Sequence, residues 1–360
     1  IWAQVDCPNR RASLSFLTRA RLMAPCRQDW YWLDAVALGF LRWSPAMLLL
    51  VYIGGFWDFD ALLAKAWAAA SATEFIQRPM AEAYVAAFSF LAWIILYSLL
   101  DALPQLERFR MTKFSYDTKP SHIVVVAGVL ISATFLAMGE PFGRTVPLVI
   151  LALLIPVAYL AGSVGVFRAT DGLIHYTVRA YFQFMGYLAG IAILHAFRDP
   201  KPASFGHTTC GRLMCEVAFG IVAYDFLFSW LHFAMHRVSW MHRATGHHQH
   251  HEISCFAGRV LAADTVNHGV PDFILQVTVN IVVQNIGIFG ATKHKLARFL
   301  HNVVVTGLLV ESHAGYDGFW SSHRLYPSIF GGARRHVEHH AKGKHFYQQF
   351  FCYLDDLIFC

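Results

Sequence analysis

Apolar and polar positions in this chain separate into blocks of roughly 20 residues, the length an α-helix needs to cross a hydrocarbon core of about 30 Å. The apolar blocks are 34–56, 81–103, 122–139, 145–167, 179–196 and 215–235, followed by a weaker pair at 270–290 and 297–312. The block 145–167 (TVPLVILALLIPVAYLAGSVGVF) is the strongest. The shorter 122–139 runs into Glu140-Pro141-Phe142-Gly143, a turn that makes it one arm of a hairpin with the next block. The pattern predicts an all-α, polytopic transmembrane bundle of six to eight membrane helices. No repeat or low-complexity linker interrupts it. The expected organisation is a basic N-terminal segment (1–30), a set of N-terminal membrane helices (31–214) and a C-terminal domain (215–360).

Loop charge suggests an orientation. The N-terminal arginines share the cytoplasmic side with Arg108, Arg110, Lys113 and Lys119 if the first two blocks both span. Counting onward, the segment after residue 232 emerges on that same face. The blocks 270–290 and 297–312 then form an out-and-back hairpin that returns the chain, by residue 313, to where it left near residue 268. Lys293, Lys295 and Arg298 fall at the far tip of this hairpin, which a shallow, re-entrant path accommodates.

Composition agrees with a lipid setting. Hydrophobic residues make up 56% of the 360, charged residues only 14%, against about 25% in an average soluble domain. The mean hydropathy is +0.42. The net charge of +6 comes from short basic clusters between apolar runs, which fits anionic lipid headgroups and no nucleic acid. Arg10, Arg11, Arg19, Arg21 and Arg27 make the first 30 residues Arg-rich. They read either as the remainder of an organelle-targeting region or as a basic membrane flank. The seven cysteines show no CxxC pair or zinc-finger spacing.

Histidine changes the picture. There are 20, and 16 of them fall between His232 and His345. His232 and His236 (HFAMH) end an apolar helix at i and i+4, on one face. His247, His250 and His251 form an HxxHH motif, and His336, His339 and His340 repeat it 89 residues later. Random placement gives about 0.06 such matches in the chain, so two are a designed feature. His268 and His313 flank the hairpin and can be brought together by it. Neutral imidazole binds zinc, copper, iron or nickel, and so many imidazoles exceed what one tetrahedral ion takes. Two metal ions are implied. ExxH pairs, the mark of ferritin-like di-iron bundles, are absent from the helices, and so is the HExxH of zinc proteases. Glu252, Asp264, Glu311, Asp317 and Glu338 lie close enough in sequence to accept ring N–H groups.

These motifs resemble the fatty acid hydroxylase/sterol desaturase superfamily. The matching text is DF and WLHFAMH within 225–236, HHQHHE at 247–252, NH at 267–268, ESHAGYD at 311–317, FGGARRHVEHH at 330–340 and YLDDLIF at 353–359. ESHAGYD and FGGARRHVEHH look most like the sterol 4-methyl oxidases. The resemblance covers residues 221–360. It implies a membrane monooxygenase with two iron ions, zinc being the alternative occupant, and O2 as co-substrate. It also implies a sterol or fatty acyl substrate and a cytochrome b5-type electron donor. By the same resemblance His232, His236, His247, His250, His251, His336, His339 and His340 are box ligands, with His268 and His313 as additional ligands. The endoplasmic reticulum is the implied membrane, with a mitochondrial or other organelle membrane as the alternative. Two other functions remain open from sequence: a lipid desaturase, and a non-catalytic subunit of a larger membrane complex that retains the fold.

Overall fold

The structure is a computed structural model that describes residues 32–55, 57–78, 81–101, 103–111, 204–248, 250–251, 262–266, 268–288 and 292–359. The apolar blocks 122–139, 145–167 and 179–196 and the basic segment 1–30 lie outside the described residues. Every regular element among the described residues is helical. Apart from single turns such as Glu74–Gln77 and Ser322–Leu325, the α-helices among the described residues are α1 (Trp32–Ile53), α2 (Phe59–Ser71), α3 (Ala81–Asp101), α4 (Cys210–Arg237), α5 (Ser239–Thr245), α6 (Val270–Gln284), α7 (Lys295–Ala314), α8 (Gly332–Lys342) and α9 (Tyr353–Leu357).

Two of these, α1 and α4, are long and apolar enough to cross a membrane, and α3 contributes a shorter apolar stretch, Ala81–Tyr97. At 22 and 28 residues, α1 and α4 extend about 33 and 42 Å. Helix α1 exposes Val36, Phe40, Trp43, Met47 and Leu50, and its buried residue is Asp34. A helix apolar on its outside belongs in lipid rather than water. Its polar residues anchor it to the rest: Asp34 pairs with Arg108 at 3.0 Å, and Arg42 donates to the carbonyls of Arg324 and Leu325 at 2.8 Å each.

Helix α7 is the axis, with α3, α4 and α8 packed on it. Phe90 and Tyr97 of α3, Tyr224 and Phe228 of α4, and Val305, Leu309 and Val310 of α7 meet in one apolar core. Close approach of α3 depends on Gly307, where a Cβ would stand 2.9 Å from Cε2 of Trp93. The Trp93 indole N–H donates to the Val303 carbonyl at 3.0 Å across that contact.

The cations between α6 and α7 do not face water. Lys293, Lys295 and Arg298 are 1%, 5% and 2% exposed. Arg298 pairs with Glu82 of α3 at 3.3 Å, and Lys295 donates to the Arg78 carbonyl at 3.4 Å. Counting loop charges treats each cation as solvated, whereas Lys295 and Arg298 are held inside the bundle by acceptors on α3 and before it. Their conflict with the charge-derived orientation therefore has a local cause. The hairpin itself is cross-linked near its tip, where Asn280 and Gln284 of α6 each donate to Asn302 of α7 at 3.0 Å.

Candidate metal centre

Helix α4 ends with His232 and His236 one turn apart. Gly246, in the left-handed region at φ 69°, ends α5 and turns the chain so that the helical turn holding His247, His250 and His251 faces back onto α4. Helix α7 presents His313 in its last turn. Helix α8 starts at Gly332, φ 52°, where a Cβ would lie 2.7 Å from Nδ1 of His323, and presents His336, His339 and His340.

Nine imidazoles converge as two groups. His232, His236, His247, His251 and His339 form one; His250, His313, His336 and His340 form the other. Each HxxHH motif serves both. In the first motif the i, i+4 pair His247 and His251 joins the five-membered group and His250 the other; in the second, His336 and His340 join the four-membered group and His339 crosses over. The groups touch where the His251 and His340 rings stack at 4.4 Å between centroids.

The nitrogens that meet are all Nε2. In the larger group His232 lies 3.0 Å from His247 and 3.2 Å from His236. There too, His236 lies 3.1 Å from both His247 and His339. In the smaller group His313 lies 3.1 Å from His250 and 2.8 Å from His336. Backbone carbonyls fix the tautomers, since a carbonyl only accepts. Nδ1 of His232 donates to Tyr347 at 2.8 Å, that of His339 to His345 at 2.6 Å, and that of His313 to Leu309 at 2.9 Å. Nδ1 of His247 faces Asp272 at 2.8 Å. Their Nε2 atoms are thus bare lone pairs packed against one another, which is repulsive unless a cation lies between them. Nitrogens about 2.1 Å from a shared ion and at right angles are about 3.0 Å apart, so the donor set fits a metal ion in each group.

Half of the chain aligns with known proteins. It is 28% identical over 186 residues to a cholesterol 25-hydroxylase-like protein of Danio rerio, covering 49% of this chain and 67% of that protein. It is 28% identical over 179 residues to the cholesterol 25-hydroxylase of Mus musculus and 26% identical over 182 to that of Homo sapiens. These matches cover 49% of this chain and 57% and 62% of those relatives. Over that half the chain is similar to cholesterol 25-hydroxylases, in keeping with the resemblance that its histidine motifs carry. No family model matches the chain, and no solved structure matches it. The chain spans only about three fifths of the mouse and human relatives, so whole-protein activity is taken up below as a proposal.

One expected ligand stands apart from these two groups. His268 is brought into neither group. Its ring stacks on His250 at 4.2 Å, its Nε2 lies 2.7 Å from the Thr265 carbonyl, and its Nδ1 lies 3.1 Å from Asp272. It packs behind His250, and with His247 and Asp272 it forms a third set whose ligand atoms lie within 4.8 Å of one another. The carboxylate that joins His247 and His268, Asp272, is fully buried in the first turn of α6 and was not singled out from sequence. Its signal was present: Asp272 follows His268 by one helical turn, directly after Pro271. Three carboxylates that sequence did single out are engaged elsewhere. Glu311 accepts from the Ser322 amide at 2.6 Å, Asp317 holds Arg324 and His323, and Glu338 pairs with Lys342. Glu252 lies outside the described residues.

The C-terminal segment closes the larger group. Tyr347 packs its ring 5.4 Å from His236 and 5.5 Å from His339, while Phe233, Phe359 and Tyr347 pack on one another. The buried carboxylate of Asp225 clasps this segment, accepting from the Phe350 amide at 2.7 Å and Gln348 Nε2 at 2.6 Å.

Burial, reinforced by neighbouring imidazoles, holds His250, His251, His336 and His340 well below the ordinary histidine value, and burial pushes His339 down to about 3. All are neutral at pH 7, the form that binds metal. Above about pH 6.5 these groups are neutral in both folded and unfolded chains and add no pH dependence. Below it the unfolded chain takes up protons that the folded chain refuses, so stability falls as pH falls from about 6.5 toward 3. Each such histidine contributes a slope of up to about 1.4 kcal/mol per pH unit. Thermal unfolding of the metal-free, detergent-solubilised protein is expected to be flat between pH 7 and 8 and to fall steeply between pH 6.5 and 5. A flat midpoint down to pH 5 would contradict the buried, neutral assignment.

Proposed function

We propose that this chain is an O2-dependent, di-iron hydroxylase of a sterol C–H bond in a membrane. The observation that carries the reading is the pair of Nε2 clusters whose lone pairs face one another. All-imidazole donors accept iron, and accept zinc where zinc is more available. Bound iron supplies the reduction of O2 that turns C–H into C–OH, one oxygen atom entering the product and the other leaving as water with two electrons and two protons. The chain's own residues do the rest. Carbonyls of Leu309, His345 and Tyr347 and the carboxylate of Asp272 orient the rings. Phe233, Tyr347 and Phe359 exclude water from one side of the larger group.

The relatives' names favour a sterol over a fatty acyl chain. A cytochrome b5-type protein is the expected electron donor, and the endoplasmic reticulum the expected membrane. Convergence of nine imidazoles into two complete groups favours catalysis over a subunit that merely retains the fold. Desaturation on the same scaffold differs in product, since a desaturated lipid holds no new oxygen. Purified protein is expected to contain about two irons per chain and, with a reductant, to place one labelled atom from 18O2 in a sterol product. Fewer than about one iron per chain after gentle purification, with no labelled product, would reject the reading.

A further inference from the structure

Among the described residues, Phe346 alone combines a side chain with a positive φ, 59°. The left-handed region crowds a Cβ against the following carbonyl, so residues other than glycine and asparagine seldom occupy it. The ring explains little of this. Phe346 is only half-buried, and its ring meets the Arg335 guanidinium at 5.1 Å, a contact of modest strength outside a core.

What lies on either side of it explains more. The His345 carbonyl accepts from Nδ1 of His339 at 2.6 Å, and the Tyr347 carbonyl accepts from Nδ1 of His232 at 2.8 Å. Phe346 separates the two acceptors, which serve rings on different helices, α8 and α4. Its φ is therefore one of the torsions that set the angle between them. Rotation from 59° to the ordinary negative range turns one peptide plane against the other by about 120° or more. With the rest of the segment held, one carbonyl or the other then leaves its ring. Neighbouring bonds do hold it. Tyr347 Oη donates to the Lys344 carbonyl at 2.9 Å, and the Gln348 amide donates to the Asp355 carboxylate at 3.1 Å. Arg335, against the Phe346 ring, pairs with Asp356 at 2.7 Å. A disfavoured conformation pinned from both sides beside a ligand clamp is one that the surrounding fold enforces.

Both rings, His232 and His339, belong to the larger group. The corresponding lock in the smaller group, His313 Nδ1 on the Leu309 carbonyl at 2.9 Å, lies within α7 and does not involve this segment. A disturbance at Phe346 therefore reaches one set of ligands and spares the other. Ring orientation in turn sets how firmly a donor set holds its ion. Resting on the metal-centre reading above, we propose that Phe346 is a positioning residue for the larger group. Its left-handed backbone aims two carbonyls at His339 and His232, so that their Nε2 atoms stay turned toward a shared ion.

Release of iron to a chelator from the loaded, detergent-solubilised full chain tests this, with amplitude and rate read for each ion. Phe346→Val, whose branched Cβ excludes the left-handed region, is expected to release about one iron per chain about 10- to 100-fold faster than wild type. The other iron should leave at the wild-type rate. Phe346→Gly and Phe346→Asn lose the ring yet adopt that backbone readily, and both are expected to stay within about twofold of wild type. The order thus follows backbone preference and runs against ring contact. Should Phe346→Val not fold, Phe346→Thr, branched but less apolar, takes its place. Rapid release from Phe346→Gly and Phe346→Asn would assign the effect to the ring and overturn the proposal. Equal acceleration of both irons in Phe346→Val would show general loosening and overturn it too, as would an unchanged rate. These outcomes leave the metal reading standing, whereas a wild-type chain that takes up no iron overturns that reading itself.

Discussion

Replacing His313 with alanine is expected to leave about one iron per chain in place of about two and to abolish sterol hydroxylation. His313 is the sole contribution of α7 to the smaller group, where its Nε2 lies 3.1 Å from that of His250 and 2.8 Å from that of His336. Its loss leaves three imidazoles there. The larger group draws on α4, α5's following turn and α8 and contains no His313 nitrogen, so its ion should remain. Activity should vanish rather than halve, because reduction of O2 at a paired site needs both ions. The complementary variant, His236→Ala, should empty the other group and leave the His313 group loaded. Colorimetric iron analysis with product analysis reads both, and full iron content with normal turnover in His313→Ala would refute the two-group assignment.

Asp272→Ala is expected to weaken metal retention by about 10- to 100-fold and to lower turnover with it. The carboxylate accepts from His247 at 2.8 Å, approaches His268 at 3.1 Å and accepts from Gln276 at 3.0 Å. Removing it leaves a buried ring N–H without an acceptor and frees His247 to rotate or change tautomer. Asp272→Asn retains the shape and one acceptor oxygen but no charge, so its loss should be smaller. Competition with a chelator orders the three proteins; equal retention in all three would show that the carboxylate does not orient the ligand.

These residues also show what sequence could and could not reveal. The blocks at 34–56, 81–103 and 215–235 become α1, α3 and α4, because an uninterrupted apolar run of that length leaves a backbone few alternatives to helix. The HxxHH spacing placed three imidazoles on one side of a helix. It could not tell which would share an ion. The histidines three and four residues after the first diverge from it by about 60° and 40° in opposite directions, so the division depends on where neighbouring helices stand. His268 was expected as a ligand from its company; its nitrogens face Thr265 and Asp272, in a set with His247 apart from the two larger groups. Asp272 itself was hidden by distance along the chain, since α6 carries it to His247 from 25 residues away. Phe346 carried no motif at all, since a left-handed backbone at a phenylalanine leaves no mark in the sequence.

The fold-back of residues 345–350 puts the assembly of this centre on a schedule. The carbonyls that lock His232 and His339 belong to Tyr347 and His345, and the clasp on Asp225 needs Gln348 and Phe350. Every box histidine precedes that segment in the chain, so the donor set is complete before the piece that locks it. Two of its rings acquire their fixed tautomers only when the last stretch has swung back onto α4.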